Sequence, residues 1–313
     1  MLDTNPFVTR VGRAAQAIAE DLGGLEVGER LPTMAEYAAK HKVGFGTVQK
    51  ALEVLQDQGC IELEARGQLG TFLQGIDRAR LWAIRGQQAL VGVMPLPYSR
   101  RYEGLATGLR AAWRSENISL LLAFMRGAES RLDALVSGRY DFVVMSRFAA
   151  EFAAARGWNI KIALDFGPET YGQEHVLLFA PGRGPSIQPG YRVGIDNSSF
   201  DQCELVRFEI AGIEVETVEM GYMQLMEALA SDRIQVTVWD ADPLALAQSS
   251  PDVTRVPLRS QASRAIVPKD TTTVVVTRAG DSSTARLLEE TLSVSAVLQI
   301  QQEVLSGRRM PSY

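Results

Sequence analysis

Between residues 8 and 75 the hydrophobic period changes once, from helical to alternating, and that order admits few folds. Val11, Ala15, Ile18 and Leu22 recur at helical spacing, and Gly23-Gly24 ends the segment. In "TMAEYAAKHK", Thr33 and Glu36 are spaced so that each can satisfy a free backbone amide of the other at a helix start. A third helix is expected from about Gly44 to Gln58, with Val48, Leu52 and Leu55 inward and Gly59 as its stop. "CIELEARGQLGTFLQG" then alternates, Ile61 and Leu63 against Glu62 and Glu64. It turns at Arg66-Gly67-Gln68 and returns through Thr71, Phe72 and Leu73. Three short helices and a hairpin describe a winged helix-turn-helix over residues 1–75. Residues 76–88, containing "DRARLWAIRGQQ", read as a connecting linker helix.

From Ala89 strands and helices alternate. "ALVGVM", "ISLLLAFM", "YDFVVM", "IKIALDF" and "EHVLLFA" form a first strand series. "YRVGI", "IEVETVE" and "IQVTVW" form a second, with helices at 199–210 and 221–232, before "TTTVVVTR" and a helical C-terminus from about Ser282. This is α/β alternation, which predicts parallel sheets covered by helices. Two series with a late return indicate two lobes around a cleft in residues 89–313, the second lobe at roughly 180–267.

Composition is that of a soluble globular chain, 46% apolar and 22% charged, with a net charge of −5. That disfavours polyanion binding by the molecule as a whole but not by a local patch. Cys60 and Cys203 supply no disulfide framework and fit a reduced, cytoplasmic setting. The first residues lack a signal-peptide apolar core, and the longest apolar stretches are strand-length, so no membrane span is expected. Only His41 and His175 are available for imidazole chemistry, and no metal or cofactor is implied.

The run "GERLPTMAEYAAKHKVGFGTVQKALEVLQDQGCIELEARGQLGTFL" resembles the GntR-type winged-helix regulators. Gly28, Leu31, Pro32, Thr33, Thr47, Val48, Ala51, Leu52, Gly59, Ile61, Glu62, Gly70, Thr71 and Phe72 follow that pattern. The resemblance implies double-stranded DNA as partner. Pro32, Thr33, Lys42, Gly44, Gly46 and Thr47 would lie along the backbone, as would the wing residues Arg66, Gly67, Gln68, Gly70 and Thr71. Gln49 and Lys50 would enter the major groove. Helix N-termini attract phosphate, glycine admits close backbone approach, and Gln reads adenine bidentately. Two features depart from the pattern. Gly44, Phe45 and Gly46 stand where polar or basic residues are usual, and Phe45 either meets a thymine methyl or is partly buried. Residues 1–75 also hold seven Lys or Arg against ten Asp or Glu, a net charge of −3. A monomer should bind DNA weakly, and a homodimer on a two-fold site would double the contacts. His41 and Lys42 are read as solvated positions beside the DNA.

In the second region polar residues cluster at strand ends, where open α/β sheets bind ligands. Tyr98, Ser99, Arg100 and Arg101 follow the first strand, with one of the two arginines facing the cleft. Ser146 and Arg147 follow "YDFVVM", and Asp196, Asn197, Ser198 and Ser199 follow "YRVGI". Serines, arginines and helix starts together favour an anionic effector carrying phosphate or carboxylate. Tyr222 either lines the cleft or packs. Trp239, Asp240 and Asp242 end a strand; the carboxylate pair could hold an amine or hydroxyl, although two acids near a turn are usually just solvated. Met220, Met223 and Met226 are read as core, Cys203 as a small buried residue and His175 as structural.

Two lobes with an out-and-back crossover resemble the type 2 periplasmic-binding-protein fold. Joined to this winged helix, and with "VGVMPLPYSRRYEGLATGL", the chain resembles the YhfZ family of predicted transcriptional regulators. The resemblance implies a regulator whose second domain senses an effector. The alternative is an enzyme on the same scaffold with an appended DNA-binding module. Against it, no nucleophile–base set, metal spacing or phosphate loop is present. Lys161 and Lys269, the only lysines after residue 50, lack a Schiff-base context.

Overall fold

The computed structural model describes residues 8–86, 89–113, 118–241 and 253–313. Two compact units emerge. One comprises residues 1–90, 114–121 and 279–291; the other comprises 91–113, 122–278 and 292–313.

The first unit is a winged helix with an added helix. Its helices are α1 (Arg10–Leu22), α2 (Met34–His41) and α3 (Phe45–Asp57), and its hairpin strands are β1 (Ile61–Ala65) and β2 (Thr71–Ile76). The expected start signal of α2 is realised, and α1 has a cap of its own. The Thr9 hydroxyl accepts from the Gly12 amide, and Thr33 and Glu36 close the reciprocal box at the head of α2. Gly59, at φ +65°, stops α3. Arg30 forms an isolated antiparallel bridge to Phe72 of the hairpin, with Leu31 N–H donating to Thr71 O and Leu73 N–H to Glu29 O. Ile18, Leu22, Tyr37, Val48, Leu55 and Leu73 form the core.

The segment read as a linker is instead part of this core. Helix α4 (Arg78–Ile84) buries Leu81 and Trp82, and the buried Arg78 guanidinium donates to the Gly23 and Leu25 carbonyls and to Glu290. Glu290 lies in a later helix, Ser282–Thr291, which packs against α1 and α4. Gly23-Gly24 does end α1, but Gly23 has ordinary helical dihedrals. A side chain at either glycine would collide with Ser283 or Ser282, so close approach is what these positions require.

His41 departs from the solvated position expected of it. Its Nε2 lies 2.8 Å from Asp21 Oδ2, and its ring stacks on Tyr37, bracing α2 against α1.

The second unit holds two five-stranded sheets. In sequence order its first strands are β3 (Ala89–Met94), β4 (Ser119–Phe124), β5 (Phe142–Ser146) and β6 (Ile160–Asp165). There follow β7 (His175–Phe179), β8 (Arg192–Ile195), β9 (Glu216–Glu219), β10 (Val236–Asp240), β11 (Thr254–Pro257) and β12 (Thr273–Arg278). The sheet orders are β4-β3-β5-β12-β6 and β11-β7-β10-β8-β9. The chain therefore leaves the first sheet after β6, builds the second, and returns as β12. The sheets are mixed rather than parallel throughout: β12 runs antiparallel to β5 and β6, and β7 antiparallel to β10 and β11. Strand β7, grouped by sequence with the first series, belongs to the second sheet.

Helices α5 (Arg100–Ala111), α6 (Ala128–Val136), α7 (Arg147–Ala155), α8 (Phe200–Glu209), α9 (Tyr222–Ala230) and α10 (Gln261–Asp270) cover the sheets. The helix of the first unit, Ser282–Thr291, is α11, and Val294–Leu305 is α12. Helix α12 packs on α5 across Gly104 and Gly108, where the backbones approach closely. A Cβ at Gly108 would stand 2.6 Å from Val297 O. We expect Gly108→Ala to destabilise the chain by about 1–3 kcal/mol through overpacking, measured as a lowered denaturation midpoint with an unchanged slope.

Candidate functional site

The first unit carries one coherent surface. The α3 residues Phe45, Gly46, Gln49 and Lys50 are all exposed, Phe45 at 61%, and their spacing puts them on one helical face. Phe45 is thus not the partly buried aromatic that sequence reasoning left open. Open space surrounds the Cβ directions of Gly44 and Gly46. Pro32, Thr33, Gln49, Gly70 and Thr71 line one groove between α3 and the wing. Lys42 is exposed in a left-handed turn at φ 53°. In the wing, Arg66 pairs with Glu64 and lies 4.5 Å over the Phe72 ring; Gly67, Gln68 and Leu69 form an exposed 3-10 turn. Gln49 and Lys50 both bond Glu53, at 3.1 and 3.0 Å.

The second unit contains a cavity of about 70 Å3 where the ends of its two sheets meet. Strand β3 delivers Pro95, Leu96 and Tyr98 to it, and Tyr102 follows one turn into α5. Asp196, at the end of β8, ties together two helix starts. Its Oδ1 accepts from the Ser198 amide at 2.9 Å and hydroxyl at 2.6 Å, and its Oδ2 accepts from the Tyr222 amide at 2.8 Å. The Asp240 amide, at the end of β10, donates to Tyr222 Oη. Tyr222 also stacks on the buried Trp239 with centroids 4.1 Å apart, so it both lines the cavity and packs. Ring contacts continue from Tyr222 to Tyr98, Tyr102 and Tyr171 at 5.7, 5.1 and 5.0 Å.

Beside these rings lies a buried ionisable cluster. His175 Nδ1 is 2.6 Å from Asp270 Oδ2. Asp201 lies next to Asp270 and accepts from the Ser146 hydroxyl at 2.5 Å. Burial, then the neighbouring Asp270 carboxylate, pushes the Asp201 carboxyl up to about 8. Burial opposes the charged form of His175, but the Asp270, Asp240 and Asp201 carboxylates outweigh it and raise the imidazole to about 9. Burial likewise pushes Tyr171 up to about 12 and raises Tyr98, Tyr102 and Tyr222.

Of the sequence-derived cleft set, Tyr98, Asp196, Ser199, Tyr222 and Asp240 line this cavity. The other members serve elsewhere. Ser99 caps α5, and Ser146 caps α7 while its hydroxyl supports the cavity-lining Asp201 from behind. Arg100 pairs with Glu103, Arg101 donates to the Glu169 carbonyl, and Arg147 pairs with Asp165 and Glu151. Asn197 accepts from the Cys203 thiol, Ser198 is held by Asp196, and Trp239 lies beneath Tyr222. Asp242 lies outside the described residues. Met226 and Met220 belong to the core, as expected, but Met223 lines the cavity.

Sequence reasoning missed Tyr102, Met125, Arg126, Arg131, Tyr171, His175, Asp201, Gln202 and Asp270. Two of these carried a signal: Tyr102 is one helical turn from Tyr98, and Asp201 sits in the first turn after Ser199.

With this geometry established, known proteins can be set beside it. Residues 77–313 match the YhfZ C-terminal domain family, and residues 26–73 match a helix-turn-helix domain. YhfZ of Escherichia coli (strain K12) is 34% identical over 312 residues, covering 98% of this chain and 99% of that protein. The chain belongs to the YhfZ family. The crystal structure of YhfZ from Shigella flexneri covers 76% of this chain and 98% of its own, at 33% identity and a TM-score of 0.61. The periplasmic aliphatic sulphonate binding protein SsuA from Escherichia coli covers 71% of this chain and 75% of its own. At 14% identity and a TM-score of 0.52, it shows the fold alone. This family member therefore joins a helix-turn-helix DNA-binding domain to a domain with the binding-protein fold. Among the described residues no helix is long and apolar enough to cross a membrane.

The titrations of the cluster set a pH dependence. The folded chain keeps protons on Asp201 and His175 that the unfolded chain releases near pH 4 and 6.5. Stability should therefore fall as pH rises through this range, most steeply between about 6.5 and 8 where both groups act, and level off above about 9. Melting temperatures across this range would check it. Asp201→Asn and His175→Gln should each flatten the profile.

Proposed function

We propose that this chain is a transcriptional regulator of the GntR-like type rather than an enzyme. On this reading a homodimer in the cytoplasm grips operator DNA through the winged helix, and a small effector in the cavity of the second unit modulates that grip. One observation carries it: a single chain presents both an exposed helix-turn-helix surface and a buried cavity in a binding-protein fold.

Phosphate contacts would come from Pro32, Thr33, Lys42, Gly44, Gly46, Thr47 and the wing, with Gln49 and Lys50 reading bases. Phe45, fully presented beside them, suits a thymine methyl. The first unit's net charge of −3 over residues 1–75 argues for two copies acting together. The effector would shift a conformational equilibrium only by the difference in its affinity for the two states.

The expectation of an anionic effector rested on helix starts and serines together with Arg100, Arg101 and Arg147. These guanidiniums are held by Glu103, the Glu169 carbonyl, and Asp165 with Glu151. The effector's chemistry is better sought in the residues lining the cavity.

Binding of the full chain to DNA upstream of its own gene tests the reading. We expect affinity to fall steeply with salt, and Gln49→Ala or Lys50→Ala to weaken specific binding by about 1–3 kcal/mol. Salt-independent binding, or no loss in either variant, would count against it.

A further inference from the structure

The cavity's inner wall holds more acceptor capacity than its own donors satisfy. Asp270 is 1% exposed, lines the cavity, and its Oδ1 has no donor among the described residues apart from the proton that Asp201 retains. Asp201, 8% exposed, accepts from the Ser146 hydroxyl and is hydrogen-bonded to the Asp270 carboxyl. Two adjacent acids out of water cannot both ionise without a compensating cation, and His175 can neutralise only one of them. The retained proton on Asp201 therefore occupies a place that another cation could take.

The neighbouring aromatic wall supports this. Tyr98, Tyr102 and Tyr171 form a contiguous aromatic surface, and ring faces attract cations. The positive groups nearby do not fill the site. Arg131 donates Nη1 to the Met125 carbonyl, leaving Nε without a partner, and Arg126 is exposed at the rim.

We propose that this cavity binds the primary ammonium group of a small amine, donating to Asp201 and Asp270 and resting against Tyr98, Tyr102 and Tyr171. A quaternary ammonium would satisfy the rings but offer the carboxylates no N–H, so the acids select a primary amine. Cation entry ionises Asp201, and its proton leaves to solvent. The groups facing Asp201 are Ser146, Asp270, His175 and Tyr171, with Asp240 and Arg131 further along the same cavity wall. The inference rests on reading this cavity as the effector site.

The test uses the full-length chain at pH 7 with ethanolamine and putrescine as probes. Ethylene glycol, tetramethylammonium and inorganic phosphate serve as controls. We expect a saturable rise in melting temperature with one or both amines and none with the controls. Titration heats should depend on buffer ionisation, reporting a released proton. Asp201→Asn is close to the protonated acid in shape and should remain folded, yet bind the amine roughly ten- to a hundredfold more weakly and release no proton. Asp270→Asn should also lose binding.

The proposal is overturned if no amine binds or if phosphate alone stabilises the chain. It is equally overturned if tetramethylammonium matches the amines or if Asp201→Asn binds them unchanged. DNA binding without ligand, measured in parallel, separates the two readings. Retained operator binding with no amine response sinks only the ligand assignment; amine binding without operator binding sinks only the regulator.

Discussion

Keeping His175, Asp201 and Asp270 together out of water is the requirement that organises the second unit. Each comes from a different element: β7 of the second sheet, the first turn of α8, and the end of α10 just before the chain returns as β12. Ser146, at the end of β5 in the first sheet, donates to Asp201. Ions in such surroundings persist only when neighbours compensate them, so the cluster specifies how these four segments meet. The same arrangement sets two buried carboxyl groups beside an aromatic wall, so the junction is also where the proposed recognition would take place.

Much of the fold was legible because it is encoded locally. The Thr33–Glu36 box, the Gly59 stop and the alternating Ile61–Leu63 strand act within a few residues, and each stands where its pattern placed it. Strand order is not local. Nothing in "TTTVVVTR" says that it will slot antiparallel between β5 and β6, because partner choice depends on contacts with residues more than a hundred positions earlier. Gly23-Gly24 shows an intermediate case: the helix end was readable, but its reason, the approach of Ser282 and Ser283, was not.

The cavity was half legible for the same reason. Strand-end logic found Tyr98, Asp196, Ser199, Tyr222 and Asp240, all positioned by the segment they sit on. It also selected Arg100, Arg101 and Arg147, because an arginine at a helix start looks the same whether it faces a cleft or a carboxylate on its own surface. Asp270 and His175 offered no signal. An isolated acid in a sequence is ordinarily solvated, and its burial here follows only once α10, β7 and α8 converge.

On the proposed reading, the surface of α3 and the wing has to read DNA from a negatively charged unit. Glu53 bonds both Gln49 and Lys50, so the two side chains placed to meet bases are held by a carboxylate rather than left free. On the proposed reading, binding exchanges those bonds for contacts to bases and phosphates, and only a well-matched site compensates Glu53 for its lost partners. A mismatched site would leave the carboxylate near DNA phosphates with nothing to offset the repulsion. Low net charge then weakens binding everywhere but weakens it most at the wrong sequence. On that reading discrimination is gained at the expense of affinity, and pairing two such surfaces on one operator would be the physical route by which affinity is recovered.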